Sequence, residues 1–154
     1  MLQNSRQMKF PHTAEDICRE ILVSAEKFDQ LGDLRIRQLI KLLAKLDPEI
    51  VLEGILLIFE QKHQPSVSFL SQEYAGRILS AINPESQKDV KHILGRLIKN
   101  WDTSVEQVPY WLQKNYDPQL LEATILECSI TSNEKEKLDT LWWWWMKKNQ
   151  QHSI

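Results

Sequence analysis

The sequence predicts an all-α protein of about eight helices. The 154 residues include four Gly and six Pro, too few for the many tight turns of a sheet protein. Helix-compatible residues such as Leu, Ile, Glu, Lys and Gln are abundant, and apolar residues recur at helical spacing along most of the chain. The length suits one domain, and 42% hydrophobic with 26% charged residues is an average globular composition. We therefore expect one helical domain with one hydrophobic core.

The first helices are predicted from the residues at their ends. Thr13 precedes acidic residues and is suited to cap a helix that ends at Gly32, since glycine commonly terminates helices. Asp33 is suited to cap the next helix, which spans 34–46 and carries a broad apolar stripe.

Later helix starts are indicated by a repeated dipeptide. In each copy an Asp or Asn side chain stands directly before a proline, whose missing N–H is harmless in the first helical turn. The copies follow one another after 36 and then 34 residues. They are Asp47-Pro48, Asn83-Pro84 and Asp117-Pro118.

Helical patterns flank each copy, which predicts three helix pairs followed by a terminal helix. The pairs and the terminal helix span about 34–62, 69–99, 104–129 and 133–148. We expect a single domain over residues 13–150, between a flexible N-terminal segment of residues 1–12 and a tail of residues 151–154.

Two of these helices have distinctive sequences. Helix 48–62 is apolar on nearly every side, so we expect it to be central and covered by other helices. Pro109 lies within the predicted helix 104–116 and must either kink it or mark its true start, because proline removes a backbone hydrogen bond.

A helix pair about every 35 residues resembles the HEAT-like αα-repeat proteins. The run Asp47-Pro48-Glu49-Ile50-Val51-Leu52 looks like the start of the second helix of such a repeat. The resemblance concerns architecture, over about residues 33–130. It implies a short right-handed α-solenoid of antiparallel helix pairs, and it implies no activity. The alternative is a non-repeating helical bundle, in which Asx-Pro helix starts fall at similar spacings.

Several features indicate a cytoplasmic protein. Cys18 and Cys128 are far apart and fit neither a disulfide framework nor a CxxC motif. The N-terminal residues lack the apolar core of a signal peptide. The longest apolar run falls well short of the roughly 20 residues that span a bilayer. A net charge of −2 supplies no overall field toward nucleic acid or an anionic membrane.

The sequence carries no known catalytic or phosphate-binding motif, so we expect no enzyme activity, cofactor or small-molecule substrate. One pattern allows a carboxylate and histidine metal site, which is the least favoured hypothesis. Glu60 and Asp89 each stand three residues before a histidine, His63 and His92, as metal ligands do in di-iron helical bundles.

Basic residues on two predicted helices, 34–46 and 84–99, give an alternative function. If the two faces adjoin, they form a surface that binds nucleic acid phosphates. The competing interpretation is that these are ordinary solvated helix faces. The basic residues concerned are Arg37, Lys41, Lys45, Lys88, Lys91, Arg96 and Lys99.

Six tryptophans, four of them consecutive at Trp142, Trp143, Trp144 and Trp145, are the most unusual feature. Successive helical residues point about 100° apart, so these four rings cover all sides of the terminal helix. One interpretation is a terminal cap in which Trp142 and Trp145 pack on the body of the protein.

The favoured hypothesis is that the outward tryptophans bind a protein partner or a second copy of the chain, together with Tyr110 and Trp111. It makes the protein a non-catalytic adaptor, regulatory or assembly partner, and a homodimer is one form of it. A third interpretation is that the outward tryptophans lie at a membrane interface together with Lys147 and Lys148, which follow them in the sequence.

Overall fold

The structure is a computed structural model that describes residues 10–61, 65–131 and 133–152, except for the side chains of 65–68 and 148–152. These residues form helices and contain no strand, which confirms the predicted all-α class. The helices are α1 (Ala14–Glu26), α2 (Phe28–Leu31), α3 (Leu34–Leu43), α4 (Pro48–Glu60), α5 (Pro65–Ile82), α6 (Val90–Ile98), α7 (Gln107–Asn115), α8 (Pro118–Thr131) and α9 (Lys135–His152).

Of the two predicted capping residues, Thr13 caps α1, whereas the Asp33 side chain makes no capping hydrogen bond to α3. The Thr13 side chain accepts a hydrogen bond from the Asp16 backbone N–H, and the Asp16 side chain accepts one from Thr13 in return. This reciprocal pair satisfies two N–H groups that the first turn of a helix leaves free. Gly32, with a φ of 57°, ends α2 in a conformation that disfavours other residues.

Two of the three Asx-Pro dipeptides start helices as predicted. Asp47 accepts a hydrogen bond from the Glu49 backbone N–H at 3.0 Å, and α4 follows from Pro48. Asp117 accepts one from the Leu120 backbone N–H at 3.1 Å, and α8 follows. The capping side chain and the missing proline N–H act together here as the sequence indicated.

The third dipeptide, Asn83-Pro84, does not start a helix, so the predicted helix 84–99 is wrong at its beginning. Residues 83–89 are irregular, and α6 begins at Val90. The reason is that distant side chains bind the backbone of this segment. Trp111 donates to the Pro84 carbonyl, Tyr116 donates to the Lys88 carbonyl, and Glu49 accepts from the Gln87 N–H.

Other helix limits also differ from the prediction. α5 begins at Pro65 instead of residue 69, and α9 extends to His152, into the predicted tail. α7 begins at Gln107, so Pro109 lies in its first turn and marks its start without interrupting it. Residues 1–9, which make up most of the predicted N-terminal segment, lie outside the described residues.

The helices pack in two rows. α1 contacts α4, α4 contacts α6, and α6 contacts α8. In the second row α3 contacts α5, α5 contacts α7, and α7 contacts α9. The rows meet where α1 packs on α5, α4 on α5, and α8 on α9. α8 and α9 are therefore the last helices of their rows, and each has a side that no later helix of the described chain covers.

α4 is the central helix, as its sequence predicted. Most of its residues are buried, and α1, α5 and α6 all pack on it. It approaches α1 closely at Gly54, where an added Cβ atom would stand 2.6 Å from the Ile17 side chain. A side chain at this position would not fit, so the glycine allows the two helices to come together.

Two sequence observations concern cysteines and membranes. Cys18 is buried and Cys128 half-buried, and neither is in a disulfide. Within the described residues, no helix combines the length and the apolar character needed to cross a membrane.

Candidate interaction surface

The four consecutive tryptophans of α9 divide between the core and the surface. Trp145 is 7% exposed and belongs to the core with Leu138 and Leu141, and Trp142 is half-buried against it. These residues share one side of α9 because they are spaced three or four apart. The structure places Trp142 and Trp145 where the cap interpretation expected them.

The other two tryptophans face away from the core. Trp143 is 54% exposed and Trp144 is half-buried. Their ring centroids lie 5.0 Å apart with the planes at 76°, so the edge of one indole meets the face of the other. This arrangement is favourable for aromatic rings, but it leaves much of Trp143 in water.

Tyr110 on α7 completes the group of exposed rings. It is 40% exposed, and its ring contacts that of Trp144 with a centroid separation of 5.5 Å and an interplanar angle of 68°. We call Tyr110, Trp143 and Trp144 the aromatic patch. Because it joins residues of two helices, the patch has a fixed shape set by the packing of α7 on α9.

A lysine side chain lies on the aromatic patch. The Lys147 ammonium nitrogen is 4.9 Å from the centroid of the Trp143 ring and 5.4 Å from that of Trp144. Both distances fall within the range of about 6 Å over which a ring attracts a cation. Lys147 is one helical turn after these tryptophans and is itself exposed.

Trp111, which the sequence placed on the same contact surface, lies in the core. It is 2% exposed, its indole N–H donates to the Pro84 carbonyl at 3.1 Å, and its ring packs edge-to-face on Tyr116. An indole buried to this extent presents no surface to a partner. The pattern that explains it is the spacing of Val108, Trp111 and Leu112, which puts all three on the buried side of α7.

α8 carries a second exposed apolar face, which the sequence analysis did not identify. Leu126 is 50% exposed and Ile130 is 85% exposed. With Ala123 they lie opposite the buried Leu121 and Ile125. The spacing of three and then four residues that joins Ala123, Leu126 and Ile130 is the signal that could have revealed a face suited to another helix.

The seven basic residues of the nucleic acid hypothesis do not form one surface. α3 packs on α1 and α5, whereas α6 packs on α4 and α8. On α3, Arg37 donates to Asp33 at 3.1 Å and Lys41 is exposed, as is Lys45 just after the helix. Lys99, just after α6, is exposed as well.

The remaining basic residues are neutralised by carboxylates. Arg96 bonds to Glu53 and Glu60, and its side chain is 16% exposed. Lys88 forms ion pairs with Glu53 and Glu49 at 3.0 and 3.2 Å. Lys91 pairs with Glu127 at 2.7 Å. A cation that already faces a carboxylate contributes little to binding phosphate.

This ion-pair network joins α4 to α6 and shifts the pKa of its members. Burial raises the pKa of Glu53, but hydrogen bonds from Arg96 and Lys88 outweigh burial and hold this pKa below its usual value. The hydrogen bond to Glu53 raises the pKa of Lys88 in turn. The network therefore holds the two helices together in its charged form.

The described residues of the metal hypothesis are not grouped into a site. Glu60 is engaged by Arg96, and His63 lies outside the described residues. Among the described residues, no three His, Cys, Asp or Glu side chains are grouped so as to hold a metal ion.

Comparison of the chain with protein-family models, curated proteins and solved structures found no match.

Proposed function

We propose that the protein is a non-catalytic adaptor, regulatory or assembly partner that binds another protein through the aromatic patch. The observation that carries this proposal is the 54% exposure of Trp143 beside Trp144 and Tyr110. Trp and Tyr each bring a large apolar area with few rotatable bonds, which is why they dominate the energetics of protein interfaces.

The position of the patch also favours binding. It lies on α7 and α9, in the last part of the second helical row. A row of helices that ends without a polar face leaves apolar surface uncovered. The exposed Leu126 and Ile130 of α8 show the same feature at the end of the first row. A partner that covers this end of the molecule would bury apolar area from both helices.

We further propose that the two rows are a short right-handed stack of HEAT-like helix pairs. Contacts that link every second helix, as between α4, α6 and α8, support this architecture. The irregular segment 83–89 weakens the exact repeat but leaves the alternation of rows in place. We place the protein in the cytoplasm, where the free thiols of Cys18 and Cys128 suit a reducing environment.

The first test separates self-association from binding of a foreign protein. Light scattering after size exclusion, at several protein concentrations, gives the mass of the purified chain relative to its 18.2 kDa. A mass that rises with concentration supports a second copy as the partner. A constant monomer mass directs the search to a foreign protein, captured from the source cells on the tagged chain.

The second test replaces Trp143 and Trp144 together by serine. The matched control is Phe28→Ser, because Phe28 is 45% exposed on α2, away from the patch. We expect the tryptophan variant to keep its helical circular dichroism and to lose dimerisation or the captured partner, while the control loses neither. Association that survives in the tryptophan variant would overturn the proposal.

A further inference from the structure

Two indole rings of the aromatic patch stand at a steep angle to each other, with a cation beside both. The indole planes of Trp143 and Trp144 meet at 76°, and together they form two walls of a corner. The Lys147 ammonium occupies this corner, within 5.4 Å of both ring centroids. The structure thus already contains a cation bound by two tryptophan faces.

The walls of the corner are held in place by neighbouring residues. Tyr110 packs against Trp144 from α7, and the adjacent Trp145 is anchored in the core. Trp144 therefore has little freedom to turn away. The site stays open to solvent because Trp143 and Lys147 are both exposed.

Lys147 is bound to the corner by cation–π contacts and not by an acid. Within the described part of the chain, no carboxylate is in salt-bridge distance of its ammonium nitrogen. The contact of one exposed lysine with a ring is weak, on the order of 0.5–1 kcal/mol in general. A competing cation can therefore displace Lys147 at moderate cost.

A cation that displaces Lys147 must overcome the advantage of a group tethered to the same helix. A free primary ammonium cannot overcome this advantage, because it is as strongly hydrated as the Lys147 ammonium itself. A quaternary ammonium is less strongly hydrated, retains its full charge, and presents methyl groups to the indole faces. Aromatic corners and cages recognise this chemistry in general.

We propose that the corner between Trp143 and Trp144 binds a quaternary ammonium group, presented as a trimethylated lysine by the protein partner, with Lys147 as its displaceable internal occupant. This inference rests on the proposed function and specifies the chemistry that the aromatic patch recognises. Lys147 then acts as an internal competitor that lowers the apparent affinity of the corner for other cations.

The test is a titration of the full chain with tetramethylammonium chloride, followed by the indole N–H signals in the NMR spectrum. The signals of Trp143 and Trp144 should shift and saturate in the millimolar range. Trp101 and Trp111 are internal controls, because their indole N–H groups are buried and bonded to the carbonyls of Val105 and Pro84. Sodium chloride at the same ionic strength should produce no saturable shift.

Two variants make the result specific. Lys147→Ala should raise the affinity for tetramethylammonium by about two- to fivefold, since it removes the internal occupant. Trp143→Ala should abolish the saturable shift at Trp144 while the circular dichroism stays unchanged. A Lys147→Ala protein that shows no saturable shift, or shifts equally with sodium, would overturn the proposal.

A second arm identifies the source of the ammonium group. A peptide with one trimethylated lysine should bind more tightly than the unmodified peptide, in the wild type and in Lys147→Ala. Binding of phosphatidylcholine vesicles without binding of the peptide overturns the assignment to a protein partner. If the cation site fails while partner capture still depends on Trp143 and Trp144, only this inference is lost. If capture does not depend on them, the proposed function is lost.

Discussion

The indole N–H of Trp111 donates a hydrogen bond to the carbonyl oxygen of Pro84 at 3.1 Å, across 27 positions of the chain. The bond is buried and ties α7 to the irregular segment 83–89. Asn115 reinforces the connection by donating to the Asn83 side chain at 2.7 Å. One side of α7 thus organises the chain between α5 and α6.

Replacing Trp111 by phenylalanine should destabilise the protein by about 1–3 kcal/mol, because it leaves the buried Pro84 carbonyl without a donor. The measurement is urea unfolding followed by far-ultraviolet circular dichroism. Trp143→Phe is the control, and as a change on an exposed ring it should cost less than about 0.5 kcal/mol. Equal unfolding midpoints for the two variants would contradict this role of Trp111.

The same bond explains why the local sequence does not predict the conformation of segment 83–89. The starts of α4 and α8 are local: one aspartate, one proline and the following apolar residues are sufficient. Asn83-Pro84 carries the same local signal. Its conformation is decided instead by Trp111, Tyr116 and Glu49, which are distant in sequence. A local pattern cannot include such contacts.

The aromatic patch was predictable to a similar extent. Helical periodicity indicated that Trp142 and Trp145 share the side of Leu138 and Leu141, and the structure agrees. Periodicity also requires that other rings of α9 point outward. It could not place Tyr110 against Trp144, or Trp111 in the core, because both depend on how α7 packs on its neighbours.

Gly54→Ala should destabilise the protein by about 1–3 kcal/mol, although alanine is the better helix former. The new methyl group would stand 2.6 Å from the Ile17 side chain, so α1 and α4 must move apart. Gly95→Ala is the matched control. Gly95 lies in α6, and a Cβ atom there meets no atom within 4 Å.

For Gly95→Ala we expect a gain of about 0.5–1 kcal/mol from helix propensity alone. Thermal and urea unfolding of both variants check the pair of predictions. A Gly54→Ala protein as stable as the wild type would show that α1 and α4 are not in close contact at this point.

Glu53→Gln should lower the stability by about 1 kcal/mol at pH 7, since it weakens the network with Arg96 and Lys88. The effect depends on pH. Because the pKa of Glu53 is lower in the folded than in the unfolded protein, its contribution is present above its ordinary pKa and is lost as the pH falls through the folded-state value.

Urea unfolding at several pH values between 7 and 3 should therefore show the wild type and Glu53→Gln approaching each other in stability below about pH 4.5. The pKa of Lys88 is raised, so its contribution persists until the solution is strongly alkaline and does not disturb this range. A stability difference that is the same at pH 7 and pH 3 would mean that the charge of Glu53 is not the cause.

Trp145 and Trp143 should respond in opposite ways to truncation, although they lie two residues apart. Trp145→Ala removes a core side chain that is 7% exposed and should cost about 3–5 kcal/mol, with loss of α9 helicity. Trp143→Ala removes a ring that is 54% exposed and should cost less than about 1 kcal/mol. Hydrogen exchange along α9 measures both effects at the level of single amides. If Trp143→Ala unfolds α9 as readily as Trp145→Ala does, Trp143 supports the fold, and the aromatic patch cannot be a surface held ready for a partner.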